Sequence, residues 1–302
     1  MARQNIFGTV FGVDAGMMQI AVCPNMSKRR SGEIVDRIFE FYKNKNVRLV
    51  MPATEARQFR KEEFGLPCIE RVHMDLALSI GGDGTLLGVC RKFREQGIPV
   101  CGINLGTLGF LADIEPRELE SRLGKILLGE FMIENRLLLS AFVKNELSNK
   151  FLGNAINDVV ISKGGTARML RLDIFINDTY LTHCKADGFI VSSPTGSTAY
   201  SLSAGGPILN PTIRALIITP ICAHTFQMRP LVVSEDDEVR IKISANKNLM
   251  LTLDGQESFQ IQPNDEIVVR KSQKTARIVK FADKNYYDVL KAKLWGNAFE
   301  PI

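Results

Sequence analysis

The sequence predicts an α/β domain with a parallel sheet, followed by an all-β, sandwich-like domain, with the last helix packing back on the first domain. Two patterns in the 302 residues indicate this order. As far as about residue 115, apolar runs of strand length alternate with apolar residues at helical spacing, which is typical of a parallel sheet covered by helices. From Met132 to about Phe281, most segments alternate apolar and polar residues between Asn, Asp and Gly turns, which indicates antiparallel strands.

This change of pattern sets the predicted domains. Residues 18–115 together with 285–302 form the α/β domain, and residues 116–284 form the β-rich domain. Residues 1–17 are expected to be a disordered extension, because regular structure is predicted only after them. With 45% hydrophobic residues, the chain is long enough to bury two cores.

The individual elements follow from run length, periodicity and end signals. Strands are short apolar runs bounded by Pro, Gly, Asn or Asp, and the first helix has Ser31 as its predicted N-cap. The predicted α/β elements are strand Met18–Cys23, helix Ser31–Tyr42, strand Val47–Met51, helix Thr54–Phe64, strand Leu76–Ile80, helix Thr85–Gln96, strand Ile98–Asn104, a helix from Pro116 to about Leu128 and a closing helix Asn285–Trp295. The clearest β segments are Leu170–Asn177, Val239–Ile243, Leu249–Leu253 and Glu266–Lys271.

Composition argues against several classes of function. A net charge of +5 and a pI near 8.8 suit a small anionic substrate but are too mild for nucleic acid, and the basic residues are scattered. No apolar run approaches the ~20 residues needed to cross a membrane. The six cysteines include no Cys-x-x-Cys pair and the three histidines are far apart, so we expect no zinc site and a reducing, cytoplasmic location.

The first candidate site is the glycine turn after the strand Leu76–Ile80. Gly81, Gly82 and Gly84 interrupt the apolar run, and a helix is predicted to start at Thr85. A strand, a glycine turn and a helix start form a geometry that binds phosphate through backbone N–H groups and the helix dipole. Asp83 is unusual there, because its charge repels phosphate; it suits activation of a hydroxyl or binding of a cation. A common alternative is that Asp83 only caps the helix.

The turn differs from the two best-known phosphate loops. Walker A requires Gly-x-x-x-x-Gly-Lys-Ser/Thr, which the chain lacks. The dinucleotide fingerprint Gly-x-Gly-x-x-Gly needs glycine at position 87, which is Leu. The turn is therefore neither a P-loop nor a standard Rossmann loop.

The second candidate site is the stretch Asp187–Pro207. A strand precedes a run of small hydroxyl residues and glycines around Tyr200, whose ring can stack on a base. Such a run is expected to expose backbone N–H groups and hydroxyls. A polar surface loop is the alternative, but it accounts poorly for Gly205-Gly206-Pro207 with a tyrosine in the middle of the run.

Together these motifs resemble the NAD kinase family, which phosphorylates the adenosine 2′-hydroxyl of NAD. The resemblance rests on Gly82-Asp-Gly-Thr85 with Pro194-Thr-Gly-Ser-Thr-Ala-Tyr-Ser201, and is strengthened by Asn157-Asp158 and Asp254-Gly-Gln256. It runs from about residue 18 to the C-terminus. The glycine motif alone is shared with lipid kinases and, more loosely, phosphofructokinases, whereas the second motif is far more specific.

The resemblance implies a role for each matching position. Asp83 matches the proposed catalytic base, or alternatively a metal ligand. The positions implied to bind phosphate are Gly81, Gly82 and Thr85. The positions implied to bind NAD are Gly84 beside it, Asn157 and Asp158 at the adenosine end, Lys185 and Asp187 on the nicotinamide side, and Thr198, Ala199, Tyr200, Ser201, Leu202 and Ser203 around adenine and ribose, with Arg168 and Gln256 as weaker alignments.

The chain departs from the family pattern at two positions. Family members usually carry Glu where this chain has Asp158; the aspartate side chain is shorter by one carbon but keeps the charge. They often carry Thr at Ser193, which keeps the hydroxyl. Neither departure removes the implied chemistry.

The implied reaction uses ATP with a divalent metal, Mg²⁺, to convert NAD to NADP in a homo-oligomer, a dimer or tetramer. Phosphoryl transfer depends mainly on positioning and charge neutralisation, so Asp83 and the glycine amides suit it. The first rival is a lipid or small-alcohol kinase of the same superfamily, which does not need the 194–203 stretch. The second rival is a non-catalytic nucleotide-binding sensor, which would keep its function without Asp83.

Overall fold

The structure is a computed structural model that describes residues 17–296, apart from 107–108, 146–147, 165–168, 225–227, 245–248 and 264. The predicted disordered extension lies outside the described residues except for Met17. The chain divides into two compact units, Met1–Glu134 with Arg277–Ile302 and Asn135–Ala276. The observed boundaries are 134/135 and 276/277, whereas the predicted ones were 115/116 and 284/285, so the second unit is shorter at both ends than the predicted β-rich domain. No helix among the described residues is long and apolar enough to cross a membrane.

Seventeen strands and six helices can be assigned in the described residues. The helices are α1 (Ser31–Tyr42), α2 (Ala53–Gln58), α3 (Asp83–Lys92), α4 (Leu119–Leu127), α5 (Tyr200–Ser203) and α6 (Tyr286–Leu294). The strands are β1 (Met18–Pro24), β2 (Val47–Pro52), β3 (Gly65–Leu66), β4 (Leu76–Gly81), β5 (Val100–Asn104), β6 (Met132–Lys144), β7 (Asn149–Ala155), β8 (Asp158–Lys163), β9 (Leu170–Ile176), β10 (Thr179–Ala186), β11 (Gly188–Ser192), β12 (Ala215–Ile221), β13 (Leu231–Ser234), β14 (Val239–Ile243), β15 (Leu249–Leu253), β16 (Glu257–Ile261) and β17 (Glu266–Lys280). Short 3₁₀ turns cover Glu62–Phe64, Ile69–Arg71, Pro116–Glu118 and Thr195–Thr198.

The first unit contains the predicted parallel sheet. Its strands lie in the order β17, β5, β4, β1, β2, β3, and every adjacent pair is parallel. All six residues of β4 are buried, as expected of a central strand covered on both faces. The core combines strand residues such as Leu78 and Ile103 with Ile38 of α1 and Leu123 of α4. The carboxyl ends of β4 and β5 therefore lie side by side on one sheet edge, where parallel α/β sheets bind ligands.

The helix boundaries correct three sequence predictions. Ser31 is not the N-cap of α1; it is buried in the first turn, and its hydroxyl donates to the Asn25 carbonyl at 2.7 Å. The helix predicted over Thr54–Phe64 ends at Gln58, because Arg60 takes a φ of +56° that a helix cannot continue through. The helix predicted to start at Thr85 starts two residues earlier and ends at Lys92.

The second unit is the predicted antiparallel β domain. One sheet has the order β13, β12, β11, β8, β15, β16, and each pairing in it is antiparallel. The other contains β10, β9, β14 and β17, and β6 and β7 extend it. The core draws on both sheets, with Val191 and Leu251 from the first and Leu172 and Ile241 from the second. The sandwich-like prediction is thus confirmed.

The closing helix returns to the first unit, as predicted. Asn285 caps α6 by accepting the Asp288 N–H at 2.9 Å. The ring centroid of Tyr286 lies 6.1 Å from that of Phe110, and the Lys293 ammonium lies 4.8 Å from the Phe110 centroid. The chain therefore begins and ends its described part in the same unit.

Candidate active site

The glycine turn lies at the carboxyl end of β4, where the sequence predicted a phosphate-binding geometry. β4 ends at Gly81, and α3 begins at Asp83. A Cβ on Gly81 would lie 2.2 Å from the Thr85 hydroxyl oxygen, so only glycine lets the helix start this close to the strand. The Thr85 hydroxyl is itself held by Asn25, whose Nδ2 donates to it at 2.9 Å. The turn therefore places the positive end of the α3 dipole at the sheet edge.

The Asp83 carboxylate is bound to a second backbone turn rather than to its own helix. Its Oδ2 accepts the N–H of Phe110 at 2.8 Å, and its Oδ1 accepts those of Leu111 and Ala112 at 3.2 Å each. The interpretation of Asp83 as a helix cap is therefore wrong. A carboxylate has about four acceptor positions, two on each oxygen; counting donors from the described residues, one position on Oδ2 is not used.

Gly109 makes this approach possible. A Cβ at that position would lie 2.1 Å from Asp83 Oδ1. The turn from Gly109 to Ala112 follows β5, the neighbour of β4 in the parallel sheet. Gly109 thus allows the backbone N–H groups of this turn to reach the carboxylate.

In the second unit, another aspartate holds another turn in the same way. Asp254 Oδ1 accepts the N–H groups of Asn157 at 2.7 Å and Asp158 at 3.2 Å, and its Oδ2 accepts that of Ile156 at 3.0 Å. Asp254 has a φ of +51°, a left-handed conformation that Asp tolerates better than most residues. The predicted pair Asn157 and Asp158 is therefore fixed between β7 and β8 by a residue about one hundred positions later in the chain.

Asp158 is buried, whereas Asn157 is half-buried. Burial raises the pKa of Asp158 from 3.8 to about 7, and the nearby negative charge of Asp254 adds to the effect. Asp158 thus changes protonation near neutral pH. When protonated it can donate a hydrogen bond, and when ionised it can only accept.

We predict that the free energy of unfolding decreases with rising pH because of Asp158. Its carboxyl binds a proton with a pKa of about 7 in the folded chain but with the ordinary value, 3.8, after unfolding. Between these two pH values the folded state holds the extra proton, so raising the pH favours unfolding. The stabilisation by this proton is complete below about pH 4 and is lost above about pH 7. Urea unfolding measures the free energy of unfolding of the wild type and of Asp158→Asn. As the pH rises over this range, the value for the variant should increase relative to that of the wild type by at most about 4 kcal/mol. Parallel curves would contradict the prediction.

The 194–203 segment is a compact turn rather than an open polar loop. It forms the 3₁₀ turn Thr195–Thr198 and the short helix α5. The hydroxyls of Ser197 and Ser201 point inward: Ser197 Oγ donates to the Pro194 carbonyl at 2.7 Å, and Ser201 Oγ pairs with Thr219 Oγ1 at 3.0 Å. The expectation that the run exposes its hydroxyls is therefore wrong for these two residues.

The 194–203 segment and the two serines before it are joined to the Asn157 turn. The Ser193 N–H and the Ser192 hydroxyl donate to the Asn157 carbonyl at 2.9 and 3.1 Å, and the Ser193 hydroxyl donates to the carbonyl of Ile156. Gly196 lies so close that an added Cβ would be 2.1 Å from the Asn157 carbonyl oxygen. The structure therefore brings two predicted groups of site residues together, the Asn157–Asp158 pair and the 194–203 segment.

Part of the 194–203 segment remains accessible to a ligand. Tyr200 is 45% exposed, as predicted for a ring that stacks on a base, and Ser203 is also exposed. Thr198, Ala199 and Leu202 are half-buried. Thr195 was not predicted as a site residue, yet its buried hydroxyl has no hydrogen-bond partner among the described residues. The only signal for it in the sequence was its place inside the motif.

Asp187 forms an ion pair that sequence reasoning missed. Its Oδ1 lies 2.6 Å from the Nζ of Lys163. Lys185 is exposed on β10, and its carbonyl accepts the His224 N–H at 2.9 Å. Lys163 could be found only from the pairing of β8 with β11, which sets Ser162 opposite Gly188 and so brings the adjacent residues together.

The remaining candidates are less informative. Gln256 is exposed, directly after the tight turn formed by Asp254 and Gly255. Arg168 lies outside the described residues. Within the part of the chain that the structure describes, no group of three or more His, Cys, Asp or Glu side chains is placed to hold a metal ion. Asp83 Oδ2 could contribute one oxygen to a cation, and Mg²⁺ is commonly held by one or two carboxylates together with substrate phosphates and water.

Comparisons with known proteins agree for both units. Residues 19–131 match the ATP-NAD kinase N-terminal domain, and residues 156–281 match the ATP-NAD kinase C-terminal domain. The NAD kinase of Carboxydothermus hydrogenoformans is 45% identical over 73% of this chain and 79% of its own length. That of Moorella thermoacetica is 40% identical over 92% of this chain and 89% of its own.

Two solved structures are similar to most of the chain. Yeast NADH kinase complexed with NADH superposes with a TM-score of 0.85 at 27% identity, covering 95% of this chain and 90% of that one. An NAD kinase from Archaeoglobus fulgidus in complex with ATP superposes with a TM-score of 0.73 at 26% identity, covering 92% and 99%.

Proposed function

This chain belongs to the NAD kinase family, and on that premise we propose that Asp83 accepts the proton of the adenosine-ribose 2′-hydroxyl of NAD while ATP supplies the phosphoryl group. The reaction is the ATP-dependent conversion of NAD to NADP. The observation that carries the role of Asp83 is the acceptor position on its Oδ2 to which no described residue donates, beside a glycine turn at a helix N-terminus.

The chemistry of the turn supports this role. A ribose hydroxyl is too weak an acid to ionise at neutral pH, so a carboxylate placed against it can take its proton as the phosphoryl group arrives. The three backbone hydrogen bonds fix the carboxylate, so that its remaining acceptor position has a defined direction. The glycine turn, with Gly81, Gly82 and Thr85, would bind the phosphates.

We assign NAD binding to the predicted residues of the second unit. Asn157 and Asp158 would bind the adenosine end, and the exposed face around Tyr200 would bind the adenine and ribose. Asp187, with Lys185, would lie on the nicotinamide side, and Lys163 would hold the Asp187 carboxylate in place. The full set proposed to bind NAD is Gly84, Asn157, Asp158, Arg168, Lys185, Asp187, Thr198, Ala199, Tyr200, Ser201, Leu202, Ser203 and Gln256.

Magnesium bound to the ATP phosphates would neutralise charge on the transferred group. The protein's part is to place the hydroxyl against Asp83 and to bind the phosphates at the turn. We also propose that the enzyme works as a homo-oligomer. We place it in a reducing cytoplasm, in keeping with the six cysteines, which are all free thiols in the structure.

The proposal predicts NADP formation that depends on a divalent ion. With ATP, NAD and Mg²⁺ the protein should form NADP; EDTA should reduce the rate to background, and added Mg²⁺ should restore it, because the protein alone cannot neutralise the charge on the phosphates. Parallel reactions with NADH or with polyphosphate establish the acceptor and the donor. Turnover that persists in EDTA would contradict the metal requirement.

The same assay tests the two rivals. Clear NAD binding without NADP formation would favour a non-catalytic sensor. Phosphorylation of a lipid or small alcohol in place of NAD would favour the other kinases that share the glycine motif.

A further inference from the structure

We propose that Lys280 is a positioning residue for Asp83. Lys280 donates hydrogen bonds to the carbonyl groups of the backbone turn whose N–H groups donate to the Asp83 carboxylate. The inference rests on the proposed role of Asp83 and adds a residue from near the C-terminus of the chain to the phosphoryl-transfer site.

The contacts of Lys280 are complementary to those of Asp83. Its Nζ donates to the carbonyls of Leu111 at 3.2 Å and Phe110 at 3.4 Å, and it pairs with Asp113 Oδ1 at 3.0 Å. Asp83 accepts the N–H groups of Phe110 and Leu111. Phe110 and Leu111 are thus each bound twice: the N–H donates to the Asp83 carboxylate, and the carbonyl accepts from the Lys280 ammonium.

Burial makes this arrangement stiff. The Lys280 side chain is 13% exposed and that of Asp113 is 4% exposed, so the pair is weakly screened by solvent. Asp113 is fixed in turn by the Phe281 N–H, which donates to its Oδ2 at 3.0 Å. β17, which carries Lys280, pairs with β5 at Ile278 and Val100, so the lysine extends from a rigid strand rather than from a loop.

This stiffness matters because the donors to Asp83 among the described residues leave it a single acceptor position. If the turn moved, its three hydrogen bonds would turn the carboxylate with it, and Oδ2 would point away from the hydroxyl. A misplacement of about 1 Å can cost about 10²-fold in rate, although no residue that contacts substrate has changed.

Lys284 offers a matched control. It lies four residues later in the same segment, its side chain is 19% exposed, and its Nζ pairs with Glu118 at 2.7 Å and Glu115 at 3.8 Å. Among the described residues it makes no hydrogen bond to the turn. Both lysines therefore anchor the same segment through carboxylates, but only Lys280 contacts the turn that holds Asp83.

The experiment compares Lys280→Met, Lys280→Arg and Lys284→Met in the full chain. Melting temperatures are measured first, and kcat and the KM values for NAD and ATP are then measured well below all of them. We expect Lys280→Met to lower kcat by about 10²-fold with KM changed by less than about threefold, because positioning and not binding is lost. Lys280→Arg should recover part of kcat, since it keeps the charge and the donors. Lys284→Met should melt earlier but keep the wild-type kcat.

The results separate a positioning role of Lys280 from a purely structural one. A Lys280→Met kcat equal to that of Lys284→Met would show that Lys280 is only an anchor and would overturn the proposal. Failure of Lys280→Arg to recover any activity would overturn the hydrogen-bonding role. An active Asp83→Asn variant would reject the proposed function itself, whereas an inactive Asp83→Asn beside a fully active Lys280→Met would reject this inference alone.

Discussion

Replacing Asp83 with asparagine is expected to lower kcat by about 10²- to 10⁴-fold while NAD still binds, because an amide cannot accept the proton of the 2′-hydroxyl. The NAD-binding residues proposed in the second unit are unchanged in this variant, so the dissociation constant for NAD should stay close to that of the wild type. Steady-state assays of NADP formation and calorimetric titration with NAD measure the two quantities separately. A variant that keeps more than about a tenth of the wild-type kcat would contradict a role as base of this size.

The asparagine also changes the turn, so a control is needed. Its amide nitrogen must replace one oxygen and would then face a backbone N–H of the turn, donor against donor. Asp75 is the suitable control, because it lies near the start of β4, at the opposite edge of the same sheet, and accepts the Gln19 N–H at 2.7 Å. Asp75→Ala should lose this backbone hydrogen bond and keep the wild-type kcat. An equal fall in both variants would assign the effect to damage of the fold.

Gly196→Ala is expected to lower the free energy of unfolding by about 3 kcal/mol, at the upper end of the usual cost of overpacking. The added Cβ would lie 2.1, 2.5 and 2.6 Å from the carbonyl oxygen, carbonyl carbon and Cα of Asn157. These are backbone atoms, so no side-chain rotation can relieve the contact, and the 194–203 segment must separate from the Asn157 turn. Urea unfolding measures the loss of stability, and titration with NAD should show weaker binding, since both groups of proposed NAD ligands move.

Gly205→Ala is the control for this change; it lies nine residues later, just after the 194–203 segment. No atom lies within 4 Å of the Cβ that it would add, and its cost is only the strain of a φ of +89°. That strain is expected to cost about 1–2 kcal/mol. If Gly196→Ala were no more destabilising than Gly205→Ala, the close packing against Asn157 would not be an important constraint.

The elements could largely be predicted from the sequence because their signals are local. The continuous apolar run Leu76–Ile80 and the glycines after it predict a buried strand and a turn, and both are present. Alternation over Val239–Ile243 and Leu249–Leu253 predicts strands with those same bounds. Boundaries were less certain: Arg60, in a left-handed conformation, ends a helix that periodicity alone extends to Phe64.

The contacts of the site residues could not be predicted in this way. Asp83 was identified as a residue out of place among phosphate-binding glycines, but its backbone partners lie 27 to 29 residues away. Lys163, 24 residues before Asp187 in the chain, forms an ion pair with it. The sequence predicted exposed hydroxyls at Ser197 and Ser201. In the structure the Ser197 hydroxyl donates to the Pro194 carbonyl and the Ser201 hydroxyl pairs with that of Thr219, so both stabilise the fold of the segment.

The sequence by itself therefore determined which residue types stand at the ends of the strands, and with them the family and the reaction. A strand, turn or helix depends on neighbouring residues, and a long motif such as Pro194–Ser201 is specific enough to identify a family. Only the tertiary structure decided which oxygen of Asp83 accepts two backbone N–H groups and which accepts one, and which lysine contacts that turn. The physical reason is that every carboxylate and every lysine has many equivalent partners in the chain, and the order and register of strands alone select the one that lies within hydrogen-bonding distance.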